Sequence, residues 1–305
     1  ECAAACIFHA IEIKDGKVTM NPDKCTGCAK CIEACNNQNL TFSKDTVRAL
    51  ELLKEGPVYA MMAPAFIGQF GEEATPSRIR TALKEMGFAG MIEVAAFADI
   101  LTLKEALELK HNLEKPEGFQ LTSCCCPVWI ALIRKDFDKI VEHLPASVSP
   151  MIACGRIAKE LYPDCKTIFV GPCLAKKAEA REASLAGAVD CVLTFQELQD
   201  LFEVFQIDFS EMEEDVKEHA ATAGRLYART GGVSEAVRNC VESLSGGQES
   251  PMKPVFANGV ENCKNLLNDI LEGKIQGNFF EGMACEGGCV GGPKRILETQ
   301  EATKL

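Results

Sequence analysis

Seventeen cysteines fall within 305 residues, and most of them stand in groups. Small secreted scaffolds reach such a density because they lack a core and need disulfides. This chain is long enough to bury a core, and 47% of its residues are hydrophobic, so it needs no staples. Dense cysteine in such a chain points to thiolate ligation of metal in a reducing compartment. The 32 basic and 44 acidic side chains leave a formal charge of −12, which speaks against nucleic acid or an anionic membrane as partner. The most apolar stretches, residues 58–70 and 89–103, are interrupted by Pro64, Gln69, Glu93 and Asp99. Neither offers the ~20 clean apolar residues that a membrane span needs. We expect a cytoplasmic protein that binds neither nucleic acid nor membrane.

Two textures divide the chain. Residues 1–46 hold six cysteines, little periodicity and few large apolar residues, too little for a core of their own. From residue 47 to 305, short β-like runs alternate with helical patterns. Strands are expected at 58–62, 91–95, 120–123, 167–170, 191–193 and 254–257. Helices are expected at 76–86, 101–112, 129–137, 151–161, 195–205, 234–244 and 260–271. Thr75-Pro76 reads as an N-cap followed by proline at the first helical position, and Thr194 with Glu197 reads as a capping box. Repeated β–α alternation argues for an α/β fold, a large domain of parallel or mixed β-sheet flanked by helices. The acidic run 211–218 reads as a solvated surface segment.

The spacing Cys25-x2-Cys28-x2-Cys31-x3-Cys35 lets three thiolates converge on one iron–sulfur cube while the fourth points at a neighbouring cube. Disulfides or zinc are the bland alternatives. Upstream, Cys2-x3-Cys6 is the tail of a second copy whose first two cysteines would lie before residue 1. The opening Glu1-Cys2, without Met, fits an absent N-terminal segment. This stretch resembles the bacterial two-cluster ferredoxin module. The resemblance implies that Cys6, Cys25, Cys28 and Cys31 hold one [4Fe–4S] cluster, while Cys2 and Cys35 serve a second that is incomplete here. Ile7 and Asn36 stand where that family carries proline.

Three further groups follow: Thr122-Ser123-Cys124-Cys125-Cys126-Pro127-Val128-Trp129, Gly171-Pro172-Cys173-Leu174-Ala175-Lys176-Lys177-Ala178-Glu179, and Met283-Ala284-Cys285-Glu286-Gly287-Gly288-Cys289-Val290-Gly291-Gly292. Cys126, Cys173, Cys285 and Cys289 sit beside proline or glycine in loop-like positions, where glycine permits close backbone approach to a bulky cofactor. Lysines beside Cys173 would balance a cluster's negative charge. Buried free thiols are the plainer reading, and they suit the isolated Cys154, Cys165, Cys191, Cys240 and Cys263.

The ordered trio of motifs resembles the signature set of the [FeFe]-hydrogenases. Ala63-Pro64-Ala65, Ala98-Asp99, Thr230-Gly231-Gly232-Val233 and Asn258-Gly259 fall in the matching order. The resemblance implies a catalytic domain over 47–305 behind a ferredoxin-like domain over 1–46. It implies an H-cluster, a [4Fe–4S] cube joined to a diiron unit with CO, CN⁻ and an azadithiolate bridge. Cys126, Cys173, Cys285 and Cys289 would hold the cube, with Cys289 bridging. Lys176 would face a cyanide, and Ala63, Pro64, Ala65 and Met283 would shape the pocket around the diatomic ligands.

The implied reaction is 2H⁺ + 2e⁻ ⇌ H2, with electrons from a ferredoxin or similar carrier and a diiron unit supplied by maturation proteins. Cys125, Glu105 and Glu108 match the family's proton relay. The two carboxylates stand three apart on one helical face, where two solvated side chains are the bland alternative. Where the family's relay continues through a serine this chain has Pro145, and where it ends on an arginine it has Asn112. The three consecutive cysteines and Gly171, where methionine is usual, mark a divergent subgroup. The added thiol suggests that Cys124 or Cys125 reaches the open iron under oxidising conditions. Two other readings compete with turnover: an H2-sensing regulatory member, and a non-catalytic relative that serves iron–sulfur cluster assembly.

Overall fold

A computed structural model describes residues 1–37, 39–113, 118–217 and 220–305. The cysteine-rich segment opens with an antiparallel hairpin, β1 (Ile11–Lys14) and β2 (Lys17–Met20). Its turn residues Asp15 and Gly16 both have positive φ, 51° and 72°. An Asp-Gly pair supplies that conformation readily, and its handedness matches the twist of the strands. One helical turn, α1 (Lys30–Glu33), lies within the second cysteine group.

A helix, α2 (Thr46–Glu55), leads into the first of two parallel sheets. That sheet contains β3 (Val58–Met62), β4 (Gly90–Glu93), β6 (Lys166–Gly171) and β7 (Cys191–Thr194) in the order β4-β3-β6-β7. The second sheet joins β5 (Gln120–Leu121), β8 (Pro254–Asn258) and β9 (Phe279–Met283) in the order β5-β9-β8. The helices between and beyond them are α3 (Pro76–Glu85), α4 (Ala95–Leu113), α5 (Pro127–Asp136), α6 (Pro150–Leu161), α7 (Ala175–Ala180), α8 (Phe195–Val204), α9 (Thr222–Leu226), α10 (Gly232–Leu244), α11 (Val260–Leu271) and α12 (Thr299–Ala302). The α/β class with parallel sheets flanked by helices is thus observed, with two separate parallel sheets. Among the described residues, no helix is long and apolar enough to cross a membrane.

Each sheet has its own core. Met61, Met62, Ile168, Leu193 and Phe195 belong to the first, and Leu121, Trp129, Leu267, Phe279 and Phe280 to the second. Cys6, Phe8, Ala10 and Ile11 pack into the second core, which supplies the apolar partner that the cysteine-rich segment lacks by itself. Thr75 caps α3 by accepting from Arg78 N, and the capping box of Thr194 and Glu197 opens α8.

Some boundaries differ from the sequence reading. α4 begins at Ala95, six residues before the expected start, and so replaces the end of the expected strand at 91–95. The strand expected over 120–123 ends at Leu121; at Ser123 the backbone turns to φ 66° and leaves the extended region. The acidic run is described as far as Lys217, with Glu218 outside the described residues. It is tethered as well as solvated, because Arg80 donates to the carbonyls of Asp215 and Lys217 at 2.6 and 3.0 Å.

In a parallel sheet, loops at the carboxyl ends of the strands form the natural crevice. Ala63-Pro64-Ala65 follows β3, Cys173 follows β6, the three adjacent cysteines follow β5, and Cys285 follows β9. The topology therefore carries the motifs to one end of each sheet.

Candidate functional site

Four cysteines from three distant segments interact here. Cys126 is the N-cap of α5, and its Sγ accepts from Ala284 N at 3.5 Å, one residue before Cys285. Cys173 stands ahead of α7 and receives the backbone N–H groups of Ala175 and Lys176. Burial pushes Cys173 up to about 11 and Cys289 up to about 12, and the neighbouring thiols add to both. Burial likewise raises Cys285 well above the ordinary thiol value, with Cys173, Cys126 and Cys289 adding to the shift. Each thiol thus resists ionisation while metal-free, and a cation must bring the negative charge in with it. Among the described residues, no three His, Cys, Asp or Glu close up on a single-ion site. A cube, in contrast, spreads its four ligands over separate corners. The fit to a [4Fe–4S] group therefore rests on the donor set: four soft thiols, Cys126 buried and the other three half-buried, that perturb one another.

Glycines bring the last segment close. A Cβ on Gly291 would lie 1.9 Å from the Glu286 carbonyl, and one on Gly288 2.7 Å from Thr230 N. Only glycine lets this loop fold back on itself and on residues 228–230. Gly171 also has a steric reason. A Cβ there would lie 2.8 Å from the Phe169 ring and 3.0 Å from the Ala63 methyl, so no methionine fits. Ala63, Ala65 and Met283 are buried, and Pro64 is half-buried.

The two lysines after Cys173 do different work. Lys176 is buried and pairs with Glu179 at 2.7 Å. Burial opposes its charge, but Glu179 first, then Cys173 and Cys125, hold its pKa above the lysine value. Lys177 turns away from the thiols. It meets Asp45 Oδ2 at 2.8 Å, the Val192 carbonyl at 2.7 Å and Glu197 at 3.1 Å. Charge balance at the thiols therefore falls to Lys176, while Lys177 locks α2, β7 and α8 together.

Glu105 is fully buried on α4. Thr122 Oγ1 donates to its Oε2 and Cys124 Sγ to its Oε1, the latter at 3.5 Å. Desolvation raises its pKa to about 7, against the pull of both donors. The thiol that bonds Glu105 is thus Cys124. Cys125 is buried among Cys289, Cys124 and Cys126, and burial raises its pKa well above the ordinary thiol. Glu108 lies nearer solvent and pairs with Lys104 at 3.5 Å. Lys104 also donates to the Ala146 carbonyl at 2.5 Å, beside Pro145. Pro145, Ser147, Cys124 and Glu179 all line one open cleft of about 780 Å³.

Tyr227 was not singled out by motif reasoning. It is buried, and its hydroxyl bonds Thr102 Oγ1 at 3.0 Å; Thr102 also donates to the Ala98 carbonyl. After desolvation, Glu105, Cys124 and Cys125 contribute to raising its pKa, so it shares their pocket. A buried Tyr three residues before a Thr-Gly-Gly turn was the only available signal.

The N-terminal cysteines form a second group. Cys6, Cys25, Cys28 and Cys31 line one cavity of about 260 Å³ that is otherwise mainly apolar. Cys6 Sγ accepts from Ala10 N at 3.3 Å, and the backbone N–H of Lys30 is directed at Cys28. Four thiols around one cavity, with N–H groups directed at sulfur, suit a [4Fe–4S] cluster. Cys2 and Cys35 are half-buried, and Cys35 Sγ accepts from Asn39 N at 3.3 Å. Of the isolated cysteines, Cys154, Cys165, Cys191 and Cys263 are buried and Cys240 is half-buried.

Residues 56–293 match the family described as the C-terminal domain of the iron only hydrogenase large subunit. Iron hydrogenase 1 of Clostridium pasteurianum is 28% identical, over 92% of this chain and 65% of its own length. Cytosolic Fe-S cluster assembly factor NAR1 of Yarrowia lipolytica is 25% identical, over 73% of this chain and 51% of its own. The chain thus spans less than two thirds of either relative. In fold, it is similar to apo [FeFe]-hydrogenase HydA1 from Chlamydomonas reinhardtii, variant C377H, with a TM-score of 0.71 and 21% identity over 86% of this chain and 88% of that one.

Proposed function

The chain belongs to the family defined by the C-terminal domain of the iron-only hydrogenase large subunit, and from that premise we propose that it is a ferredoxin-linked hydrogenase interconverting 2H⁺ + 2e⁻ and H2. One observation carries the reading: a quartet of mutually perturbing thiols, one buried and three half-buried, has the Lys176 ammonium beside Cys173, while the protonatable Glu105 bonds Cys124, two residues before Cys126. An H-cluster bound there would supply the bond chemistry of hydrogen.

Cys126, Cys173, Cys285 and Cys289 would hold its cube, with Cys289 shared with the diiron unit. Lys176 would stabilise an anionic ligand by charge-assisted hydrogen bonding. Ala63, Pro64, Ala65 and Met283 would keep water from the diatomic ligands. Near pH 7, Glu105 can hold or release a proton, as a relay group must. The Cys124 hydrogen bond orients that carboxyl, Cys125 neighbours Cys124 and the quartet's Cys289 and Cys126, and Glu108 stands towards solvent. The ferredoxin-like part, 1–46, would admit electrons through the Cys6, Cys25, Cys28 and Cys31 cluster to the catalytic part, 47–305. Cys2 and Cys35 would serve a further cluster that these two thiols alone leave incomplete. An electron carrier and diiron maturation proteins are the partners this reading requires.

Similarity to the NAR1 assembly factor supports a second reading, a non-catalytic role in iron–sulfur assembly. Co-expression with diiron maturation proteins, followed by infrared spectroscopy and an H2 assay with reduced viologen, separates the two. The hydrogenase reading expects CO and CN⁻ bands together with H2 evolution. A chain that keeps its iron–sulfur clusters but shows neither bands nor H2 favours the assembly reading.

A further inference from the structure

A cavity of about 220 Å³ is lined by Cys28 of one cysteine group and Cys285 of the other. Lys30, Glu33, Glu286 and Arg295 share its wall. Lys30 is placed by its position between Cys28 and Cys31, and its Nζ meets Glu33 Oε2 at 3.0 Å across the single turn of α1. Glu33 lines the same cavity as Cys285, a residue of the other group. The pair therefore faces both cysteine groups.

The geometry points to Lys30 and Glu33 as an opposed charge pair that sets the reduction potentials of the two iron–sulfur centres facing this gap. The inference rests on reading both cysteine groups as cluster ligands. Reduction adds negative charge to a cluster, so a nearby cation raises its potential and a nearby anion lowers it. Because a ligand of each centre lines the same cavity, one ammonium acts on both. The side chains are 37% and 41% exposed, so water screens the effect to a shift in potential and leaves cluster binding intact. Neither residue touches a reacting atom; both act through charge.

The test uses the full chain reconstituted anaerobically with ferrous iron and sulfide alone. The readout is a potentiometric titration followed by electron paramagnetic resonance, with C285S assigning the second signal. K30M is expected to lower both potentials and E33Q to raise both. K30R is expected to leave them in place, and the K30M/E33Q double variant to return them towards the starting values. High salt should shrink the shifts. Two clusters with unmoved potentials, or shifts confined to the Cys28 centre, would overturn the inference alone. A wild-type chain that holds one cluster, or a second signal that survives C285S, would overturn the reading beneath it and the inference together.

Discussion

Glu105 combines full burial with a pKa raised to about 7, and that makes a prediction about stability. The folded chain holds its proton up to that pH, while the unfolded chain releases it near the ordinary carboxylate value. The raised value therefore destabilises the fold as pH climbs from about 4.5 to 7, and the loss is complete above that range. Glu105→Gln removes the titration. Relative to wild type it should gain stability from pH 5 to pH 8, by up to about 3 kcal/mol. Urea midpoints at several pH values check this; a pH-independent difference would contradict it. Gly171 gives a steric prediction. Gly171→Met drives a side chain into Phe169 and Ala63, so it should destabilise by about 1–3 kcal/mol. An unchanged midpoint would mean that the pocket has room. The cysteine spacing identified the thiol groups, but it gave no means of telling which of Cys124 and Cys125 bonds Glu105. That choice is set by the turn at Ser123, whose positive φ is a tertiary outcome.

Lys177 shows how elements are joined. It bridges Asp45 before α2, the Val192 carbonyl in β7, and Glu197 in the capping box of α8. Lys177→Met would leave the fully buried Glu197 without its cation, while Asp45 keeps only the exposed Arg181. Breaking a buried pair from one side costs about 3–5 kcal/mol, so this variant should lose that much in a denaturation experiment. A loss below about 1 kcal/mol would show the network to be dispensable. Element prediction from sequence worked where caps were explicit, as at Thr75 and Thr194. It failed where burial overrode local pattern. The α4 start is hidden because Ala95-Ala96-Phe97-Ala98 reads as an apolar run, and exposed Ile100, Leu103 and Leu107 blur the helical period. β9 was missed because Glu281 and Gly282 look unlike a strand. Yet the buried Glu281 carboxylate accepts from Gly231 N and from Ser234 N and Oγ, and Gly282 leaves room for the Trp129 ring. The β1–β2 hairpin carried a readable Asp-Gly signal between apolar alternations, which the density of cysteines masked.

At the scale of the molecule, two parallel sheets present their carboxyl-end loops to common ground, and the cysteine-rich segment leans on the second core. Gly27, two residues after Cys25, adopts φ 71°, and a Cβ there would stand 3.1 Å from Ala175 Cα, two residues after Cys173. The loops that carry the two thiol groups therefore pack directly against each other, as the proposed electron transfer requires. The α/β class was legible in the β–α alternation. Its division into two sheets was not, because strand order depends on long-range pairing that periodicity does not encode. The central claim is that Cys126, Cys173, Cys285 and Cys289 grip one inorganic core, apart from the Cys6, Cys25, Cys28 and Cys31 group. Iron and sulfide content, read with the paramagnetic resonance of the reduced chain, tests it most directly. The account predicts two [4Fe–4S] clusters in the reconstituted wild-type chain, and loss of the same one in each of C126S, C173S and C285S. Retention of both clusters in any of these three single variants would contradict it.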